Sequence, residues 1–219
     1  MFATFIDALM QSFGETLAMV AVAGVSGIMT GVPLGMALHL ERQHTAAEGR
    51  GTLIGLLARL VVQGIRATPA IVVLVVAMTL VRQLPIAPGG LVAMILPLSL
   101  LSALFIARRT EVALNTVDHN LVEAARSMGA SNWQIALNLL LPERRPELIS
   151  TAGLALAALV GYSTLVGAIG GSGLGALGMR YGYQEFLPEA MLAIVAILLA
   201  LAEAAQSTAF LLARRFDRR

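Results

Sequence analysis

A helix that crosses a bilayer needs roughly 17–25 apolar residues in a row. This chain supplies such runs at residues 16–40, 53–81, 91–107, 148–169 and 188–213. Hydrophobic residues make up 58% of the chain and charged residues 13%, too few to cover a water-soluble surface around five such runs. The runs therefore predict an all-α integral membrane protein with five transmembrane helices. Residues 1–14 lack the basic start of a cleaved signal peptide. Phe2, Phe5, Ile6, Leu9, Met10 and Phe13 fall at helical spacing there, which suits either a short interfacial helix or an extension of the first span.

Within the first span, Gly27, Gly31 and Gly35 line one face, which lets a neighbouring helix approach closely. Pro33 lies in the same span, where buried neighbours must compensate the missing backbone bond. A polar loop is expected at 41–52. The second run opens with amphipathic turns around Arg59, enters the membrane near Arg66 and can kink at Pro69. A short loop with Pro85 and Pro88 leads to the third run, which holds Pro97 and is closed by Arg108 and Arg109. A glycine-rich loop is expected at 170–186, and a basic tail at 214–219.

Five spans put the termini on opposite sides, and arginine bias selects the orientation, because cytoplasmic flanks accumulate positive charge. With the N-terminus outside, thirteen arginines lie inside (42, 50, 59, 66, 108, 109, 126, 144, 145, 214, 215, 218 and 219), and only Arg82 and Arg180 lie outside. The expected topology is thus a periplasmic N-terminus and a cytoplasmic C-terminus in a multi-pass inner membrane protein. Cysteine is absent, which excludes disulfides and thiolate metal sites. Lysine is absent too, which excludes a Walker lysine or a Schiff base on this chain. The arginines flank apolar spans rather than forming one basic face, so nothing supports nucleic-acid binding.

The longest interruption between runs, residues 118–146, is built differently. Asn120 followed by Glu123 reads as a helix start, and Leu121, Ala124, Ala125 and Met128 recur at helical spacing. Gly129 suits a left-handed helix end. Ser131 with Gln134 repeats the capping pattern, and a second helix from 133 to 141 is expected to stop at Pro142. The arginine count places this helix–glycine–helix unit in the cytoplasm.

Glu123-Ala124-Ala125, three residues, Gly129, nine residues, Leu139, then Leu141-Pro142 resembles the EAA loop of ABC importer permeases, with Leu139 replacing the usual isoleucine. GETLAMV at 14–20, RATPAIVVLV at 66–75, LVGYS at 159–163 and GGSGLGALGMRYGY at 170–183 narrow the resemblance to methionine-importer permeases. RATPA departs from the aromatic-containing form usual there. The resemblance implies a type I ABC importer permease fold over 15–213, with a cytoplasmic coupling helix between helices 3 and 4. It implies Glu123, Ala124, Ala125, Arg126, Gly129, Leu139 and Pro142 as contacts to a separate ATPase. The implied partners are a second copy of this chain, two ATPase subunits that carry ATP and Mg, and a periplasmic binding protein or lipoprotein.

Polar groups inside spans are costly unless they face a cavity or a partner. That makes Tyr162, Ser163, Glu203 and Gln206 candidates for a substrate path, with hydrogen bonding between helices as the alternative use. Arg82, Arg180, Tyr181, Tyr183 and Glu185 either meet the binding protein or border lipid. The G-x-G-x-x-G at 173–178 lacks the strand that a dinucleotide site requires. His39, His44 and His119 lack metal-ligand spacing and are expected in solvated loop ends, so no metal is expected. A permease for an osmoprotectant, a betaine or another amino acid stays open, as do an intramembrane enzyme and a stand-alone channel. The enzyme would need a constellation that Glu203 alone does not make.

Overall fold

The computed structural model describes residues 2–48, 57, 64, 68–83 and 90–216. The described residues form helices α1 (Phe2–Glu48), α2 (Ala70–Gln83), α3 (Leu91–Asn115), α4 (His119–Ser127), α5 (Asn132–Ile135), α6 (Leu141–Glu143), α7 (Arg145–Ala168), α8 (Leu174–Leu177) and α9 (Pro188–Phe216). Two wider π-turns, Ala136–Leu140 and Gly178–Gln184, join α5 to α6 and extend α8.

Four helices are long and apolar enough to cross a membrane, over Phe5–Glu41, Leu91–Asn115, Arg145–Ala168 and Pro188–Phe216. The second expected span is represented by the 14 residues of α2. Most of its earlier half, with Arg59 and Arg66, lies outside the described residues, as do Arg50, His44's side chain, Pro85, Pro88, Arg218 and Arg219.

Several boundaries differ from those expected, for identifiable reasons. Helix α1 passes through residues 14 and 15 without a break and continues to Glu48, into the stretch expected as a loop. Nothing in ERQHTAAE breaks a helix, and its Ala, Glu, Arg and Gln residues favour one. Helix α3 likewise runs past Arg108 and Arg109 to Asn115. Arg108 pairs with Glu111 one turn on, at 2.5 Å, and Arg109 lies over the Phe105 ring, so these charges end the apolar run without ending the helix. The glycine-rich stretch is helical over Leu174–Gln184 rather than a loop.

The glycine stripe of α1 packs directly on α3. A Cβ built on Gly27 would lie 2.1 Å from Ser102 Oγ, on Gly31 2.6 Å from the Ala103 carbonyl, and on Gly35 2.4 Å from the Ala107 carbonyl. Ser26 Oγ donates to Ser99 Oγ across the same contact at 2.8 Å. The main core lies between α1 (Met19, Val20, Ala23), α2 (Leu74, Met78), α3 (Leu98, Leu101) and α7 (Leu159, Val160, Val166). Helix α9 packs along α7, where Gly153 admits Ala209. His39, expected in a solvated loop end, is instead 2% exposed on α1, one turn beyond the contact of Gly35 with Thr110. A histidine at this place is buried because α3 continues alongside it.

Candidate functional site

The unit between α3 and α7 has the helix–glycine–helix form expected. Its first helix is capped by Asp118, whose side chain accepts from Asn120 N at 3.0 Å, and not by Asn120, which sits inside the first turn. Asp118 is the better placed of the two because its backbone is still extended when α4 begins. Gly129 has φ 83°, and Gly129 N and Ala130 N donate back to the carbonyls of Arg126 and Ala125. This is the left-handed close that glycine permits. Ser131 and Gln134 then form the reciprocal capping box, at 3.3 and 2.8 Å.

Pro142 does not stop the second helix. The chain widens into a π-turn at Ala136–Leu140, Leu141 N donates to the Ala136 carbonyl, and Pro142 follows where its missing N–H breaks no ladder. The turn comes at Arg144 instead, with φ −100° and ψ 14°. The Arg144 guanidinium donates to the Thr116 carbonyl and pairs with Glu147 at 3.6 Å. One side chain thus ties the residue where the chain enters this unit to the residue where it leaves.

The two faces of the unit are sorted by chemistry. Val122, Ile135, Ala136 and Leu140, with Ala125 and Leu139 partly buried beside them, pack on Val32, Met36 and Leu40 of α1 and Leu114 of α3. Glu123, Ala124, Arg126 and Gly129 are exposed, and Pro142 is half-buried. Arg126 also donates to Asn132 Oδ1 at 3.4 Å across the bend. Leu121, Met128, Trp133 and Leu137 face outward with 45%, 82%, 52% and 39% of their surface exposed. The helical recurrence of Leu121 and Met128 marks an outward apolar face, and Val122 supplies the inward one. Four large apolar side chains exposed on one short unit suit a contact site.

The four intramembrane candidates are not brought together. Ser163 is buried and donates to the Val160 carbonyl of its own helix at 2.7 Å. Tyr162 packs against the main core. Glu203 and Gln206 are exposed on α9, where Ser207 Oγ donates to Glu203 Oε1 at 2.9 Å. The remaining candidates lie on or near the Gly178–Gln184 turn, apart from Arg82, which is exposed in the last turn of α2. Arg180 pairs with Glu185 at 3.5 Å and lies 5.3 Å over the Tyr181 ring. Tyr181 in turn meets Phe5 edge-on at 5.2 Å, while Tyr183 is 67% exposed.

Sequence reasoning passed over Glu15 and Thr16. Their side chains accept from Gly173 N at 3.0 Å and Leu174 N at 2.9 Å, capping the helical segment that carries the G-x-G-x-x-G pattern. Their polarity beside an apolar run was the available signal. Among the described residues no three His, Cys, Asp or Glu side chains gather as a metal set.

Residues 31–219 match the family described as binding-protein-dependent transport system inner membrane component. The chain is 37% identical over 218 residues to the probable D-methionine transport system permease protein MetI of Vibrio cholerae, covering 100% of this chain and 96% of that protein. It is 35% identical to the corresponding Pasteurella multocida protein, covering 94% of each. Among solved structures, the MetNI methionine ABC transporter in inward facing conformations superposes with a TM-score of 0.88, at 34% identity and over 97% of this chain and 98% of that one. An amino acid ABC transporter crystallised with histidines shares the fold, with a TM-score of 0.77 at 20% identity.

Proposed function

The chain belongs to the family of binding-protein-dependent transport system inner membrane components, and from that premise we propose that it is the permease subunit of an ATP-driven methionine importer. It is a transport subunit of the inner membrane, and ATP with its Mg belongs to a separate ATPase. The observation that carries the reading is the unit at 118–146. It is bent at Gly129, seated on α1 and α3 by its inward apolar face, and it presents Leu121, Met128 and Trp133 outward for a partner. We read it as the coupling helix, lying in the cytoplasm, with Glu123, Ala124, Arg126 and Gly129 on the docking side. Ala125, Leu139 and Pro142 on the inner side pass its motion to the bundle.

The apolar length of 53–81 and the helix α2 support a fifth span, and with five spans the arginine bias favours a periplasmic N-terminus and a cytoplasmic C-terminus. Leu192, Val195, Leu199, Glu203, Gln206 and Phe210 recur at three- and four-residue spacing along one exposed face of α9. A carboxylate on a lipid-facing stripe is costly. Covering this face with a second copy of the chain removes that cost, which supports a homodimer with Glu203 and Gln206 toward the path. Arg82, Arg180, Tyr183 and Glu185 then lie on the periplasmic side, where a binding protein delivers substrate.

ATP binding draws the two ATPases together, carries both coupling helices inward and opens the path to the periplasm; hydrolysis resets it. Co-purification tests the assignment, because a permease brings down an ATPase stoichiometrically whereas a channel or an intramembrane enzyme does not. Uptake of labelled methionine by the reconstituted complex, competed by other amino acids and betaines, tests the substrate. Uptake blocked by a betaine and untouched by excess methionine would overturn it.

A further inference from the structure

Helix α1 meets its two sets of neighbours in different ways. Toward α3 the glycine stripe leaves no gap, with backbone and side-chain atoms in direct contact at Gly27, Gly31 and Gly35. Toward α7 and α9 the helix touches closely at Gly24, where a Cβ would lie 2.3 Å from Leu156 Cδ2, but beside that contact lies an open crevice of about 190 Å³, lined among others by Thr16, Leu17, Val20, Leu156, Val160 and Leu201. At the rim of this crevice the contact is polar. Gly173 N and Leu174 N, the first free donors of the helical segment Leu174–Gln184, bond to Glu15 Oε2 and Thr16 Oγ1. Gln11 Nε2 holds the other carboxylate oxygen at 3.1 Å, and Thr16 is 1% exposed. A carboxylate at the positive end of a helix is a favourable pairing. Further along, Phe5 meets Tyr181, and Leu9 and Phe13 pack beside Leu174, Leu177 and Ile194. The segment is bounded by positive φ at Gly170 (94°) and Gly173 (85°) on one side and Phe186 (52°) on the other. Such residues are places where a chain changes direction.

We propose that Glu15 and Thr16 are positioning residues for transport. They latch the 174–184 segment to α1 while the periplasmic side of the path is closed, and the segment leaves them as the path opens outward. The proposal rests on the importer reading and its orientation. The 174–184 segment meets α1 through a small cluster separate from the main core, so the two bonds that cap its first donors bear directly on the balance between closed and open.

The test uses the whole complex with its ATPase in proteoliposomes, with and without the binding protein. In the Glu15→Leu, Thr16→Val double variant, ATP hydrolysis without binding protein rises by on the order of tenfold or more, the effect of losing one charge-assisted and one neutral hydrogen bond. Methionine uptake at saturating binding protein stays close to that of the unaltered complex, and the Glu15→Gln, Thr16→Ser pair restores low basal hydrolysis. Unchanged basal hydrolysis in an assembled double variant would overturn the latch.

If the double variant does not assemble, a crosslink decides. The chain has no cysteine, so Phe5→Cys with Tyr181→Cys supplies its only two thiols. A cleavable bifunctional thiol reagent that bridges them is expected to stop uptake until the bridge is reduced. Uptake at full rate across an intact bridge, or no bridge at all, would refute the proposal. Basal ATP hydrolysis does not depend on which substrate is carried. A complex that shows the latch effect and imports no methionine would therefore overturn the substrate assignment alone.

Discussion

Replacing Gly129 isolates the geometry of the coupling unit from its packing. The residue has φ 83°, and no heavy atom lies within 4 Å of a Cβ built on it. Gly129→Ala therefore creates no clash and removes no contact; its only cost is holding an L-residue in left-handed backbone. That cost is about 1–2 kcal/mol, which lowers the ratio of bent to unbent form by roughly 5–30-fold. If the ATPase docks only on the bent form, its affinity for the permease falls by up to the same factor. Gly129→Val pushes it further, because a β-branched residue tolerates this backbone least, whereas Gly129→Asn stays near the original value. The assay is titration of purified ATPase onto the permease in nanodiscs, with thermal unfolding of the permease followed in parallel. The unfolding temperature of the bundle should not move, since a Cβ at residue 129 meets nothing. A Gly129→Val permease that binds the ATPase normally would refute the argument, and so would an Asn variant that weakens binding as much as Val.

Gly35→Ala should act in the opposite way, on the bundle rather than the partner. Its Cβ would lie 2.4 Å from the Ala107 carbonyl oxygen and 2.7 Å from Thr110 Cβ. Helices α1 and α3 must then separate, at about 1–3 kcal/mol. Thermal unfolding in detergent reads this, with Gly14→Ala as the unhindered control; equal unfolding temperatures would refute the close contact. Arg144→Gln removes the charged donor that ties Thr116 to the exit of the coupling unit, an interaction worth about 1.5–3 kcal/mol. ATPase binding should persist while the ATP hydrolysed per methionine imported rises several-fold, and an unchanged ratio would show that Arg144 is not needed to hold the unit rigid.

What could be read from the sequence was what obeys a local rule. Gly129 and the Ser131–Gln134 box took the conformations their spacing implies, because the groups that decide them lie within a few residues. The Gly27–Gly31–Gly35 stripe announced a close helix contact without naming its partner. What was not legible depends on distant chain. The stretch 170–184 looks like a loop because of its glycines. From Leu174 onward it is helical because its N-terminal donors find Glu15 and Thr16, residues separated from them by 158 positions. His39 is buried by α3, whose helix does not stop at the arginine pair that ends its apolar run. In lipid both faces of a helix are apolar, so periodicity cannot say that Ser163 turns into the core while Glu203 turns away from it. Exposure of Leu121 and Met128 was equally hidden, since an apolar stripe reads the same whether it meets its own core or another protein.

The uninterrupted α1 has a mechanical consequence. Residues 32–40 of this helix carry the cluster on which the coupling unit sits, and residues 15 and 16 hold the segment at its far end. From Glu15 to Met36 the axis is about 32 Å long at 1.5 Å per residue. A tilt of about 5° of a rod this long, pivoted at one end, sweeps the other end through about 3 Å, the length of one hydrogen bond. Displacement too small to unseat any side chain at one membrane surface is thus, by leverage alone, the full travel needed to separate a bonded pair at the other.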